Sequence, residues 1–169
     1  MIRIEIIDQT RSWAYFDGAS TNNGQHSGGG FILFLTEAHF YQVKIGFVQG
    51  TNNQVKLLAC KKMLLFALCT QIHVFRDSML TINWLNKNQV CRNIILMPIL
   101  EEYLQLIDSF LISTCSHIYR EKNRTTNCLS KEGLEMDQRL WDIMERINGH
   151  AYEFYHKPYR DNKLGITRA

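Results

Sequence analysis

The chain has 169 residues, of which 46% are hydrophobic and 21% charged, with only 2 prolines and 10 glycines. These values fit one ordinary globular domain and exclude disordered, collagen-like and proline-rich linker readings. A net charge of +3 and a pI near 8.6 permit a nucleic-acid partner without demanding one.

Residues 1–12 read as a lead-in segment, with an added strand near the start as the alternative. Trp13-Ala14-Tyr15-Phe16 is an aromatic and apolar run, read as a strand that ends at the carboxylate of Asp17 before Gly18. Thr21-Asn22-Asn23-Gly24 is turn chemistry. Gly28-Gly29-Gly30 leads into a second strand, Phe31 to Leu35, and the alternation from Phe40 to Val48 gives a third. Two short connections between three runs predict an antiparallel meander. The period then changes. Thr51 followed three residues later by Gln54 is a capping box, and the stretch from Asn52 to about Cys69 is apolar nearly all round, as in a buried helix. Ile72 to Phe75 is a short strand, and Asp77-Ser78 opens a second helix running through Leu85. A further helix spans about Pro98 to Asp108, and a strand spans Leu111 to Ile118. Asn123 to Glu132 reads as a helix stopped by Gly133. Leu134, Leu140, Trp141, Met144 and Ile147 fall at helical spacing, which predicts a helix over 134–148. Tyr152 to Tyr155 fits a strand or a packing arm, and the last residues from Arg160 are polar.

The order β-β-β-α-β-α-α-β-α implies an α/β fold, a mixed sheet covered by helices. The domain is expected over 13–134, with a C-terminal helical extension and tail over 135–169. There is no apolar run of membrane-spanning length and no signal-peptide core at the N-terminus, so an intracellular, non-secreted protein is expected. The cysteines (Cys60, Cys69, Cys91, Cys115, Cys128) are odd in number and form no CxxC, which favours buried, reduced thiols. The histidines show no ligand spacing. Trp13, Trp84 and Trp141 lie in apolar patterns suited to core packing rather than base stacking.

Several short pieces occur in a fixed order. They are Phe16-Asp17-Gly18-Ala19-Ser20, Asn23-Gly24, Thr51-Asn52-Asn53 and Asp77-Ser78 after a strand. His117-Ile118-Tyr119-Arg120-Glu121-Lys122-Asn123 and Leu129-Ser130-Lys131-Glu132-Gly133-Leu134 complete the set. Over roughly 13–134 this set resembles ribonuclease H of type 1, as carried by retrotransposon polyproteins and especially plant ones. The resemblance implies a five-stranded mixed sheet, three antiparallel strands first, flanked by helices. It also implies hydrolysis of the RNA strand of an RNA–DNA hybrid, with four carboxylates converging on two Mg²⁺ ions, or Mn²⁺ in their place.

Carried onto this sequence, the resemblance gives Asp17 and Asp77 as metal ligands and catalytic carboxylates. It gives His117 as the group that assists product release or proton transfer. Asn23, Gly24, Thr51, Asn52 and Asn53 fall where the family contacts the hybrid. Two carboxylate positions depart from the pattern: Lys56 stands where the family has Glu, and Asn127 where it has Asp. An ammonium about 5 Å from a divalent ion, at an effective dielectric of about 20, costs roughly 6–7 kcal/mol. Metal is therefore expected to bind weakly or not at all, with Lys56 pairing with Asp17 or Asp77 instead. Glu to Lys, Asp to Asn and the neighbouring Ala to Thr at Thr126 are each one G-to-A base change, the pattern of a retroelement decaying by cytosine deamination. The expectation is a nucleic-acid-binding domain with impaired catalysis. The alternatives are an active hybrid ribonuclease using Asp17 and Asp77, or an inert relic. Expected partners are an RNA–DNA hybrid, bound weakly and salt-sensitively, and reverse transcriptase or integrase modules of a polyprotein. Lys61, Lys62, Arg76, Arg92, Arg120, Lys122 and Arg124 are candidates for further phosphate contacts.

Overall fold

The computed structural model describes residues 12–21, 24–47, 49–67, 71–76, 83–84, 90–107, 112–117, 123–138 and 140–156. Strands β1 (Ser12–Thr21), β2 (His26–Thr36) and β3 (His39–Phe47) come first, followed by helix α1 (Asn52–Phe66). Then come β4 (Gln71–Arg76), α2 (Met97–Ile107), β5 (Ile112–His117) and α3 (Arg124–Leu134), and finally β6 (Trp141–Ile147) and β7 (His150–His156). One sheet holds all the described strands in the order β5-β4-β1-β2-β3-β6-β7. β1, β2 and β3 are antiparallel, whereas β4 pairs with β1 and β5 with β4 in parallel. The architecture is thus the expected α/β one. The helix expected between Asp77 and Leu85 lies outside the described residues, except for 83 and 84, which are helical.

Side chains alternate across a strand, so the register assigns each residue to a face. On one face Phe16, Phe31, Leu33, Val43, Ile45 and Trp141 meet α1, which buries Val55, Leu57, Ala59, Cys60, Met63, Leu64 and Phe66. The capping box at Thr51 starts α1 as the sequence predicts. Trp13, Trp84 and Trp141 are all buried, in keeping with core packing. Cys60 and Cys91 are buried and form no disulfide, but Cys128 is exposed, against expectation, because it lies at an open groove between α3 and the sheet. Among the described residues no helix is long and apolar enough to cross a membrane.

α3 crosses the opposite face with almost no gap. A Cβ at Gly28 would fall 2.4 Å from the Leu134 nitrogen, and one at Gly133 would fall 2.5 Å from the Ile45 oxygen. This corrects the reading of Gly133 as the helix stop. It lies inside α3, whose C-cap is Glu135, and its missing side chain lets the helix touch the sheet.

The helix expected over 134–148 is corrected too. Residues 141–147 are strand β6, paired antiparallel with β3, and the five expected strands become seven. Leu140, Trp141, Met144 and Ile147 do fit a helical period. Trp141, Ile143 and Ile147 equally fit a period of two, and the unpaired edge of β3 decides between them. Asn148 and Gly149, with φ of 49° and 84°, form the two-residue turn that brings β7 back beside β6. The strand reading of 152–155 holds, and the C-terminal segment continues the sheet rather than packing on it as a helix.

Candidate functional site

β4 pairs with β1 over Ser12 to Tyr15 only, and β1 then runs on to Thr21 beside β2. The carboxyl end of a parallel strand, where its neighbours diverge, is where α/β sheets commonly hold ligands. A cleft of about 260 Å³ opens there, lined by Asp17 to Thr21, Asn52, Lys56, Asn127, Lys131 and Leu134.

Asp17 is only 3% exposed. Its Oδ1 accepts a hydrogen bond from the Gly18 amide at 2.7 Å, and its Oδ2 accepts one from Asn127 Nδ2 at 3.0 Å. A carboxylate is acceptor-only, so both oxygens already have a protein donor. Asn127 reaches this position because the start of α3 is tethered to β1. Asn123, buried at the helix N-cap, makes no capping bond; its Nδ2 donates instead to the Phe16 carbonyl at 3.3 Å. Thr126, also buried, donates its hydroxyl to the Asn123 carbonyl at 3.0 Å and contacts Asn123 Oδ1.

α1 closes the cleft from the other side. A Cβ on Gly18 would fall 2.7 Å from the Lys56 nitrogen, so the helix backbone lies directly against the residue after Asp17. Asn52 Oδ1 accepts from the Ser20 amide at 3.1 Å, and the Ser20 hydroxyl donates to the Gly50 carbonyl at 2.6 Å. Gly50 in turn donates its amide to the Gly24 carbonyl at 3.0 Å. Ser27 adds a hydroxyl bond to Gly50 at 3.1 Å. This web fixes α1's first turn to β1 and β2.

The structure therefore brings Asp17, Lys56, Asn127 and Asn52 together. Thr51 and Gly24 serve the web beneath, Thr51 as the cap of α1. Asn53 is half-buried on α1 and does not line the cleft. Asp77 and Asn23 lie outside the described residues. His117 ends β5 opposite Arg76, with only its backbone described. Three participants were not singled out from sequence: Ser20, Ser27 and Lys131. Ser20 stands within a quoted motif, and Lys131 follows Asn127 by four residues, the spacing that shares a helix face. Of the basic residues proposed for phosphate contact, Lys61 is paired with Glu102 of α2. Arg92 and Arg124 are exposed.

A second groove, about 310 Å³, lies between α3 and strands β3, β6 and β7. Its Lys44 bonds Glu132 at 2.9 Å and lies 3.6 Å from Asp142. The bond that Lys44 donates to Glu132 raises the Lys44 pKa above its usual 10.5, against a smaller opposing effect of burial. Among the described residues no group of three or more His, Cys, Asp and Glu side chains is placed to hold a metal ion. Around the first cleft, one described carboxylate faces two lysines.

Residues 15–133 match the family model described as reverse transcriptase-like. Among solved structures the chain is similar to ribonuclease H1 from the archaeon Halobacterium salinarum. Identity is 25% and the TM-score 0.70, over 74% of this chain and 98% of that one. It is also similar to the N-terminal RNase H domain of a Mycobacterium tuberculosis protein, with 17% identity and a TM-score of 0.66, over 74% of this chain and 94% of that one. A ribonuclease H1 known as LC11, solved in complex with an RNA/DNA hybrid, matches at 17% identity and a TM-score of 0.65, over 74% of this chain and 97% of that one. No curated protein matches the chain.

Proposed function

The chain belongs to the reverse transcriptase-like family, and on that premise we propose that it is an RNase H-like domain that binds nucleic acid, an RNA–DNA hybrid above all, with its cutting chemistry impaired. The observation that carries the reading is the bond from Asn127 Nδ2 to Asp17 Oδ2 at 3.0 Å. Where the family presents a carboxylate, this chain presents an amide donor, and that donor occupies an oxygen of the carboxylate that does remain. Lys56 lines the same cleft and adds a cation where the resemblance calls for an anion. The described residues thus do not suit two divalent ions. Asp17 and Asp77 are the surviving ligand candidates, with His117 beside the chemistry. Asn23, Gly24, Thr51, Asn52 and Asn53 are the candidate hybrid contacts. The hybrid seen with LC11 ribonuclease H1 supports this class of partner. An origin in a polyprotein, beside reverse transcriptase or integrase modules, and an intracellular setting follow from the same family reading.

The test is cleavage of a labelled RNA–DNA hybrid in Mg²⁺ and in Mn²⁺, with the native chain beside a Lys56→Glu, Asn127→Asp double variant. Even a third of the charge penalty, about 2 kcal/mol, amounts to more than a tenfold loss of rate. The double variant should therefore cut more than about ten times faster than the native chain. Equal rates would return the reading to an active ribonuclease using Asp17 and Asp77.

A further inference from the structure

β7 is the outer strand of the described sheet, separated from β1 by β2, β3 and β6. Its one described neighbour is β6. The Asn148-Gly149 turn makes Ile147 and His150 a hydrogen-bonded pair, and such pairs alternate along an antiparallel ladder. Ala151, Glu153 and Tyr155 therefore turn their backbone N–H and C=O groups away from β6. His150 to Phe154 are all exposed, and so is Ala151, which has no long side chain to carry that exposure. This stretch of the edge is open to solvent.

The two faces of β7 differ. The row Val43–Ile143–Phe154 crosses three strands in register. Val43 and Ile143 are buried, whereas Phe154 is 42% exposed and Tyr152, on the same face, is 50% exposed. On the other face Glu153 lines the groove shared with Glu132 of α3 and Asp142 of β6. Lys44 is the one cation among the lining residues, and it is held by Glu132 and Asp142. Three carboxylates against one ammonium leave the groove acidic. Glu153 itself makes no ion pair among the described residues.

We propose that β7 docks an extended basic segment of a partner protein, which joins the sheet as a further strand. The partner's backbone bonds Ala151, Glu153 and Tyr155. Its apolar side chains, at alternate positions, cover Tyr152 and Phe154, and the basic side chains between them face Glu153 and the acidic groove. A second copy of this chain is the other occupant an open edge invites. Glu153 stands against it. An antiparallel self-pairing centred on Glu153 sets that carboxylate opposite itself. Centring on Tyr152 or Phe154 instead leaves the two carboxylates as diagonal neighbours. The charge that repels a copy thus attracts a basic strand. The proposal is independent of hybrid binding at the cleft beside Asp17.

The test titrates the whole isotope-labelled chain with a capped seven-residue peptide alternating valine and lysine, the length of β7, followed by NMR. Shifts should change at Ala151 to Phe154 and around the acidic groove, at peptide concentrations up to about 1 mM. Exchange of the Ala151 and Glu153 amides should slow. Glu153→Lys, at an exposed position, should weaken binding about tenfold and should instead bind a valine–glutamate peptide that the native chain does not. Tyr152→Ser with Phe154→Ser should also weaken binding of the valine–lysine peptide. No shift on β7 at that concentration overturns the proposal. Equal binding of a lysine–serine peptide of the same charge overturns it too, since charge alone would then account for the contact. So does protection of the Ala151 and Glu153 amides before any peptide is added. In a chain that sediments as a dimer, such protection gives the edge to a second copy; in a monomer, it gives the edge to another segment of this chain.

Discussion

The two faces of the sheet are built on different rules. The face under α1 is filled by volume: Phe16, Phe31, Leu33, Val43 and Ile45 are at most 1% exposed, as are Leu57 and Met63 of the helix. The face under α3 is filled by proximity. Gly28 and Gly30 leave the sheet bare, α3 settles onto backbone, and polar side chains stand beside it: Asp17, Gln42, Lys44 and Asp142. Apolar burial contributes roughly 1.5–3 kcal/mol for each large side chain, so the first face holds most of the stability. Backbone contact contributes little hydrophobic energy but sets a helix to within a fraction of an ångström. The second face therefore places functional groups, and this is the face on which Asn127 meets Asp17.

Substitutions can break that division. Phe31→Ala, at a fully buried position that packs against Phe66 and Trp141, should cost about 3–5 kcal/mol in chemical denaturation. Hybrid binding measured below the melting transition should survive it. A loss of less than about 1 kcal/mol would show that the α1 face is not the dominant core. Gly133→Val should cost less, about 1–3 kcal/mol, because the new side chain meets the Ile45 carbonyl and α3 must lift. Its effect on the cleft should be larger than that of Phe31→Ala, since lifting α3 separates Asn127 from Asp17. Native hybrid affinity in Gly133→Val would mean that the site does not depend on the close approach.

Asn127→Asp sharpens the comparison at the site itself. It sets a second carboxylate about a hydrogen-bond length from Asp17, in place of a donor 3.0 Å away. Like charges so close force a shared proton, which raises the pKa of the pair in the folded state. The folded state then binds more protons than the unfolded one, so stability falls as pH rises through that raised value. In EDTA near neutral pH the variant should be about 1–2 kcal/mol less stable than the native chain, and acidification should shrink the gap. Added Mg²⁺ should raise the variant's melting temperature and leave the native chain's unchanged. An equal response of the two would show that the amide is no barrier to metal.

The same division explains what the sequence made legible. The α1 face announces itself by pattern. The alternation of β1 to β3, the capping box at Thr51 and the apolar run of α1 all report burial, which is a local property of side chains. The α3 face is written in what is missing. Gly133 looked like a helix stop because nothing local distinguishes a glycine that ends a helix from one that lets it touch a carbonyl. Lys56 and Asn127 stand out in the sequence only through the ordered motifs around them, but the bond between Asn127 and Asp17 depends on the tether from Asn123 to Phe16, which no local pattern reports. The hairpin is hidden for a third reason. A helical period and a two-residue period overlap in 140–147, and only the Asn148-Gly149 pair, a two-residue turn signal, speaks for the strands. A pattern of a few apolar residues cannot choose between helix and strand when the deciding partner, the open edge of β3, lies nearly a hundred residues upstream.

The smallest expected effect lies at Lys44, and it tests whether the polar face contributes stability at all. Lys44 sits half-buried on β3, bonded to Glu132 of α3 at 2.9 Å and close to Asp142 of β6, so it links helix, meander and hairpin. Its bond to Glu132 raises its pKa above 10.5. A group with a raised folded pKa contributes its full stabilisation below the unfolded value and loses it as pH rises through the folded one. Because the ammonium is partly in solvent, the contribution is held to a few tenths of a kcal/mol, about 0.2–1 at most. Urea unfolding of the native chain and Lys44→Gln should therefore differ by that amount at pH 8. The difference should shrink as pH passes above 10.5, where the native lysine also loses its charge. A gap that stays constant across that range would mean that the lysine acts through the packing of its stem. The polar face would then add to the core by contact, as the apolar face does, and not by charge.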